Sequence, residues 1–185
     1  MALNLETPRL ILRSFQMTDV DVFAAYRSDP EIAEYQGWEA PYSRAQAVKF
    51  IEGMKKIRPG TPGEWYQLAI ALKEDGRMLG DCAFYVMAED ERQAEIGFTL
   101  AKENHGKGFA TEAVERLLAY LFEDLNLHRV RAICDVENTD SFKVMQRVGM
   151  RREAHFIEHL WYKNRWSSEY WFGILQSEWN KRPKP

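Results

Sequence analysis

The chain has 185 residues, 45% hydrophobic and 29% charged, with a formal net charge of −3 at pH 7. That size supports one domain with its own core and needs no disulfide or metal staple. The apolar share excludes a disordered chain, and 11 glycines with 7 prolines exclude a collagenous or low-complexity one. No global basic field points to nucleic acid. No apolar run approaches the roughly 18–20 residues of a membrane span, and the first residues lack the charged-then-apolar pattern of a secretory signal. Cys82 and Cys134 lie far apart inside apolar runs, the usage of buried thiols in a reducing, cytoplasmic setting rather than of a disulfide framework.

Strand and helix signals alternate along the chain. From Pro8 to Ser14, Leu10 and Leu12 alternate with Arg9, Ile11 and Arg13, which predicts a strand. Thr18 with Asp21 resembles a capping box and predicts a helix through Val22, Phe23 and Tyr26. Ser43 with Gln46 repeats that signal before Ala47, Phe50, Ile51 and Met54, and the Pro/Gly-rich stretch 58–63 then breaks the chain. A meander follows. Trp65 to Leu72 and Met78 to Met87 read as strands around an Asp75-Gly76 turn, and Ala94 to Leu100 supplies a third.

After Phe109 the period changes. Ala110, Ala113, Val114, Leu117, Leu118, Leu121, Phe122 and Leu125 form one broad helical face. Arg129 to Val136 alternates again as a strand, and Ser141 to Val148 predicts a short helix stopped by Gly149. Ala154 to Trp171 predicts an aromatic hairpin turning at Asn164-Arg165. No repeat or linker divides the chain. The expected architecture is α/β: a mostly antiparallel sheet flanked by helices, one domain over residues 1–185.

The chemistry concentrates between Ala94 and Ala113, where a strand, a loop with two glycines and an amphipathic helix follow one another. The first turn of such a helix carries unpaired N–H groups and a partial positive charge. Gly106 and Gly108 clear the approach for a phosphate, and Lys107 adds a cation. The spacing is neither a Walker A loop nor Gly-x-Gly-x-x-Gly, since Thr111 holds the third position of the latter. An ordinary strand-to-helix turn is the competing reading.

On this stretch the chain resembles the GNAT superfamily of N-acetyltransferases, and within it the ribosomal-protein alanine acetyltransferase (RimJ/RimL-like) branch. His105-Gly106-Lys107-Gly108-Phe109-Ala110 matches that superfamily's Gln/Arg-x-x-Gly-x-Gly/Ala loop, with Thr111, Glu112 and Ala113 continuing the helix. The likeness runs along most of the chain: Thr7-Pro8-Arg9 through Arg13, Pro41-Tyr42-Ser43, Ile96-Gly97-Phe98, Asn138 to Val144, Gly149-Met150, and the final aromatic hairpin. One position departs from the pattern. His105 stands where Gln or Arg usually opens the loop, and a neutral imidazole donates one hydrogen bond where a guanidinium is always charged.

The resemblance implies the acetyltransferase α/β sandwich, with two parallel strands splayed where the coenzyme enters. It also implies direct transfer of acetyl from acetyl-CoA, as cosubstrate, to a primary amine on a protein N-terminus or a small molecule. Main-chain groups of Phe98, Thr99 and Leu100 would pair with the pantetheine. The amides from His105 to Ala110 would hold the pyrophosphate, and an N–H near Leu100 would polarise the thioester carbonyl. Asn138 would contact the pantetheine and Lys143 the coenzyme phosphates. Many relatives carry a tyrosine in this helix that protonates the departing thiolate. Phe142 cannot, so Ser141 is the candidate donor.

Glu95, on the strand entering the loop, is the candidate base for the amine. A plain helix cap at Asn138 and a salt-bridged strand carboxylate at Glu95 are the structural alternatives. Two other functions stand beside the transferase: a non-catalytic acyl-CoA-binding or sensing module, and a zinc hydrolase. The last arises because His155, Glu158 and His159 spell His-x-x-Glu-His, a zinc pattern that needs both histidines on one helical face. That segment reads as strand, so no metal is expected. Nor is a nucleic-acid or membrane partner, and a homodimer is left open.

Overall fold

The computed structural model describes residues 3–182. Eight strands form one sheet: β1 (Asn4–Glu6), β2 (Leu10–Arg13), β3 (Trp65–Leu72), β4 (Met78–Val86), β5 (Gln93–Leu100), β6 (Arg129–Asp135), β7 (Arg151–Tyr162) and β8 (Arg165–Leu175). Their order is β1-β2-β3-β4-β5-β6-β8-β7, and every pairing is antiparallel except β5 with β6. The helices are α1 (Val20–Arg27), α2 (Pro30–Ala33), α3 (Arg44–Met54), α4 (Phe109–Ala119), α5 (Thr139–Arg147) and α6 (Gln176–Trp179).

Alternation along the strands assigns the two sheet faces. Leu10, Leu12, Leu68, Ile70, Phe84, Ile96, Val130 and Phe172 point to one side and pack against Ala113, Val114, Leu117 and Leu118 of α4 and Val144 and Met145 of α5. A smaller core on the other side joins Phe15 and Phe23, Tyr26, Ala47 and Ile51 of α1 and α3 to Ala69 and Met78 of the sheet. Helices therefore flank a mixed, mostly antiparallel sheet, as the sequence pattern predicts.

Three local expectations need correction. The first helix is entered at Gln16 rather than Thr18: the Asp19 carboxylate accepts the Gln16 N–H at 2.7 Å and begins a single 3₁₀ turn (Met17–Asp19) before α1. Asp19 is buried against Arg13, with bonds of 2.7 and 2.9 Å, so a long-range ion pair selects this acid over Asp21. The long helix stays α-helical only to Ala119 and then widens into a π turn over Tyr120–Asp124. Tyr120, Leu121 and Phe122 are all buried, and three consecutive residues cannot share one α-helical stripe. The last hairpin turns at Lys163-Asn164, both at positive φ (47° and 62°), one residue before the expected position. Ser43 and Gln46, by contrast, cap α3 reciprocally as expected.

Candidate active site

β5 and β6 run side by side only from Gln93↔Arg129 to Ile96↔Ala132, after which they separate. The parity of β5 follows from its bonds to β4. Met87 N–H donates to the Gln93 carbonyl at one end, and Ala101 N–H donates to the Leu79 carbonyl at the other. Odd-numbered residues therefore spend their main-chain groups on β4, and even-numbered ones face away from it. Beyond the last β6 pair those even residues are Phe98 and Leu100. Thr99 lies in the same stretch, but its main chain points to β4, a distinction the motif does not make. Gly80 opposite Leu100 has no room for a side chain, because a Cβ there would stand 2.1 Å from the Thr99 carbonyl oxygen.

The space between the separated strands opens into a cleft of about 630 Å³. One wall is β5 and the loop into α4: Phe98, Thr99, Leu100, His105, Gly106, Gly108, Phe109 and Ala110 all border it. Gly106 and Gly108 have φ of 73° and 80°, a left-handed backbone that suits glycine, and Gly108 is the residue from which α4 begins. The unpaired amides of the first α4 turn thus open onto the cleft. Lys107, the cation of the motif, does not border it; its carbonyl instead accepts a bond of 3.1 Å from Arg9. His105 Nε2–H donates to the Leu100 carbonyl at 2.9 Å, so this ring ties the loop to the strand end.

The N-terminal Thr7-Pro8-Arg9 segment acts on the same loop from behind. Thr7 Oγ1 and the Arg9 N–H donate to Glu112 Oε1 at 2.6 and 2.9 Å, and Arg9 Nε donates to Oε2 at 2.6 Å. The Arg9 guanidinium also lies 4.5 Å over the Phe109 ring. Burial works to raise the Glu112 pKa, but the bonds from Thr7 and Arg9 and the Arg9 charge outweigh it and hold the carboxyl below its ordinary value. A carboxylate in the first turn is also favoured by the helix dipole.

The opposite wall is α5 and the segment after α2. Asn138 caps α5, its Oδ1 accepting the Ser141 N–H at 3.1 Å. Asn138, Ser141 and Lys143 border the cleft, so the cap and a cleft position coincide at Asn138. Phe142 turns away to pack on Tyr170 and Phe172. Sequence reasoning missed Gln36, Lys102 and Arg147, which border the same cleft as Tyr35. For Arg147 a signal existed, since it lies one helical turn beyond Lys143. The segment of Tyr35 reads from the sequence as one that could flank a substrate cleft, and the structure brings it there through the β7–β8 turn, where Tyr162 donates to the Gln36 carbonyl and Lys163 to the carbonyls of Ala33 and Trp38. Burial, then the charges of Glu34, Glu137 and Asp135, push the Tyr35 phenol up, against the opposing charge of Arg165.

Glu95 does not border the cleft. It lies at the foot of the strand separation, on the face away from α4, where Arg131 Nε and Nη2 both reach its Oε2 at 2.8 Å. Arg131 in turn lies 5.1 Å over the Trp171 ring, and Trp171 Nε1–H donates to Glu169 at 3.1 Å. His155 and His159 sit on β7, not on a helix. The His155 ring lies tilted against Tyr170, centroids 4.7 Å apart, whereas His159 pairs with Glu169 at 3.3 Å, and these β8 neighbours point to opposite faces. The two imidazoles of the zinc-like motif are therefore not brought together.

A sheet whose two parallel strands part over a cleft, with a glycine-started helix aimed into it, defines an α/β acyltransferase class of site. The chain belongs to the acetyltransferase (GNAT) domain family, whose model matches residues 9–151. The uncharacterized N-acetyltransferase p20 of Bacillus licheniformis is 33% identical over 176 residues, 95% of this chain and 98% of that protein. A GNAT-family acetyltransferase structure from Bacillus anthracis superposes with a TM-score of 0.84 at 29% identity, covering 95% of this chain and 100% of the other. Spermidine N-acetyltransferase from Vibrio cholerae, solved with CoA and spermine, shares the fold with a TM-score of 0.79 at 23% identity, over 95% and 100% of the two chains. This protein is an N-acetyltransferase of the GNAT type.

Proposed function

We propose that the protein transfers the acetyl group of acetyl-CoA to a primary amine by direct attack in a ternary complex. The observation that carries this reading is the separation of β5 from β6, which leaves Phe98 and Leu100 main-chain groups facing a cleft that ends on the N-terminus of α4. Phe98 and Leu100 pair with the pantetheine as an added strand does. The amides from His105 to Ala110 hold the pyrophosphate. The Leu100 N–H, which faces away from β4, stabilises the negative charge that develops on the thioester oxygen. Asn138 contacts the pantetheine and Lys143 the phosphates.

The amine attacks the carbonyl carbon and the C–S bond breaks, its electron pair leaving with sulfur. Glu95, at the foot of the separation, accepts the amine's proton through water, and Ser141 returns one to the thiolate. Glu95 must exchange part of its bond with Arg131 to do so. The acceptor is a protein N-terminus, as the RimJ/RimL-like motifs suggest, or a small-molecule amine. The Vibrio cholerae enzyme crystallised with spermine puts polyamines on the panel to be tried. Buried Cys82 and Cys134, whose thiols burial pushes up (Cys134 to about 12), suit a reducing cytoplasmic compartment. Among the described residues no helix is long and apolar enough to cross a membrane.

The test is a thermal-shift titration with acetyl-CoA, beside CoA and beside zinc with a chelator. A ligand binding only the native state stabilises by about 2.7 kcal/mol at a hundredfold excess over Kd. A saturable acetyl-CoA shift followed by thiol release on an amine panel supports the reading. A shift with no turnover on any amine points to a sensing module, and a zinc-only shift overturns the transferase.

A further inference from the structure

Resting on the transferase reading above, we infer that the acceptor amine binds in a chamber over Gly97, on the sheet face away from α4, and is gripped there by the side-chain oxygen of Gln67. Gly80, Gly97 and Gly173 lie inside strands. A strand glycine weakens its sheet and marks a place that something approaches closely. At Gly80 that is the Thr99 main chain, 2.1 Å from where a Cβ would stand, and at Gly173 it is the Glu153 carboxylate, at 2.6 Å. Gly97 has no such neighbour. Its backbone is not left-handed, and a Cβ there would meet nothing within 4 Å. No described residue requires this glycine, so the space over it suits a molecule that comes from outside the chain.

Gly97 is the first β5 residue beyond the last β5–β6 pair, and it directly precedes Phe98. It does not border the coenzyme cleft, and alternation puts its open side with Glu95 on the opposite face. A thioester held between the parted strands is therefore open to attack from this face. The chamber floor is Gly97 and, opposite it on β4, Ala83. The neighbouring rungs stand about 6.6 Å away along the strands. One is Glu95 with Tyr85, whose ring meets Trp65 at 5.5 Å; a carboxylate beside an aromatic face suits an ammonium. The other is Thr99 with Asp81, both buried. Gln67, across from Ala83, closes a third side. Asp81 accepts from the Tyr26 hydroxyl and from Gln67 Nε2–H, with Arg27 3.8 Å away. A carboxylate only accepts, so this bond fixes the Gln67 amide and turns Oε1 away from Asp81. Among the described residues the one buried side-chain polar atom without a partner is Arg27 Nε, which leaves Gln67 Oε1 reachable from solvent.

The test is steady-state acetylation by the whole protein of an amine panel running from methylamine and n-butylamine to spermine and a peptide with N-terminal alanine. Gly97→Ala should melt at or above the wild-type temperature, since alanine enters open space and stiffens the strand. Gly97→Val should lower kcat/KM at least about tenfold on the best wild-type amine, with CoA affinity by calorimetry unchanged. Gly97→Ala should show part of that loss, so the test stands if the valine variant does not fold. Gln67→Met should raise KM for the same amine about tenfold and leave kcat and CoA affinity near wild type. A destabilised Gly97→Ala, wild-type kcat/KM in the Gly97 variants, or a loss shared by CoA binding overturns the chamber and leaves the transferase reading standing. An unchanged KM in Gln67→Met overturns the grip. CoA binding without turnover of any amine overturns the chamber and the transferase together.

Discussion

The two sides of the cleft are made of different material. The β5–α4 side is main chain: amides of a glycine-started helix turn, the outward-facing groups of Phe98 and Leu100, and behind them the Thr7–Arg9–Glu112 brace. The side formed by α5 and the segment after α2 is lined by side chains, and side chains of the β7–β8 hairpin brace it from outside the cleft. There Arg165 pairs with Glu137 and Asp135, Lys163 holds two carbonyls, and Tyr162 holds a third. A ligand part that is invariant, such as a diphosphate, can be met by backbone, which any sequence with glycines in the right places provides. A part that varies between enzymes, such as the acceptor, has to be met by side chains.

The sharpest way to break this contrast is Gly108→Glu. A non-glycine residue at φ 80° costs about 1–2 kcal/mol, and the new carboxylate would stand at the first turn of α4, where the pyrophosphate is proposed to bind. The acetyl-CoA thermal shift should vanish; a normal shift would mean that the coenzyme does not use this wall. Next in size, Glu95→Gln should lower turnover about a hundredfold on whichever amine the screen identifies, with CoA affinity unchanged. Wild-type turnover across pH would reduce Glu95 to an ion-pair partner of Arg131.

Glu112→Gln tests the brace. Loss of the carboxylate leaves Thr7 and Arg9 donors poorly matched, a cost of about 1–3 kcal/mol in a urea titration, with weaker CoA binding. Its pH dependence has a definite sign. The folded-state pKa lies below the unfolded one, so the wild-type advantage over Glu112→Gln is full above the ordinary Glu value near about 4.3 and is lost as pH falls through the folded value. A difference that stays constant down to pH 3 would contradict the brace.

Ser141→Ala should be milder, less than about tenfold in turnover, because a thiolate leaves without much help. The smallest effect belongs to Trp161→Ala in the hairpin. Trp161 is 58% exposed and meets Trp166 edge to face at 5.5 Å, so its loss should cost about 0.5–1.5 kcal/mol of stability and leave coenzyme binding untouched. Measurable loss of CoA affinity in that variant would show that the two sides of the cleft are coupled.

Particular residues show how far local pattern reaches. Ser43 and Gln46 could be read as a cap because both partners lie within four residues of each other. Asp19 could not, because Arg13 of the neighbouring strand decides which acid is used. The loop 105–110 was legible because glycine spacing and a following amphipathic helix are local features. That Lys107 stays out of the cleft was not legible, since Arg9, distant in the chain, holds its carbonyl. Likewise the residues on β5 could be named as a stretch, but only the ladder with β4 separates Phe98 and Leu100 from Thr99.

By itself the sequence determined the period of most elements, the α3 cap at Ser43 and Gln46, the glycines of the 105–110 loop that adopt a left-handed backbone, and through them the fold class. All of these depend on contacts a few residues apart. Only the tertiary structure decided that Glu95 meets Arg131, that His105 closes on Leu100, that His155 and His159 diverge, and that Tyr35 and Arg147 share a cleft with Gly108. Those outcomes depend on strand register and on helices docking across the sheet, where one residue of slip exchanges the two faces. No short stretch of sequence carries that information.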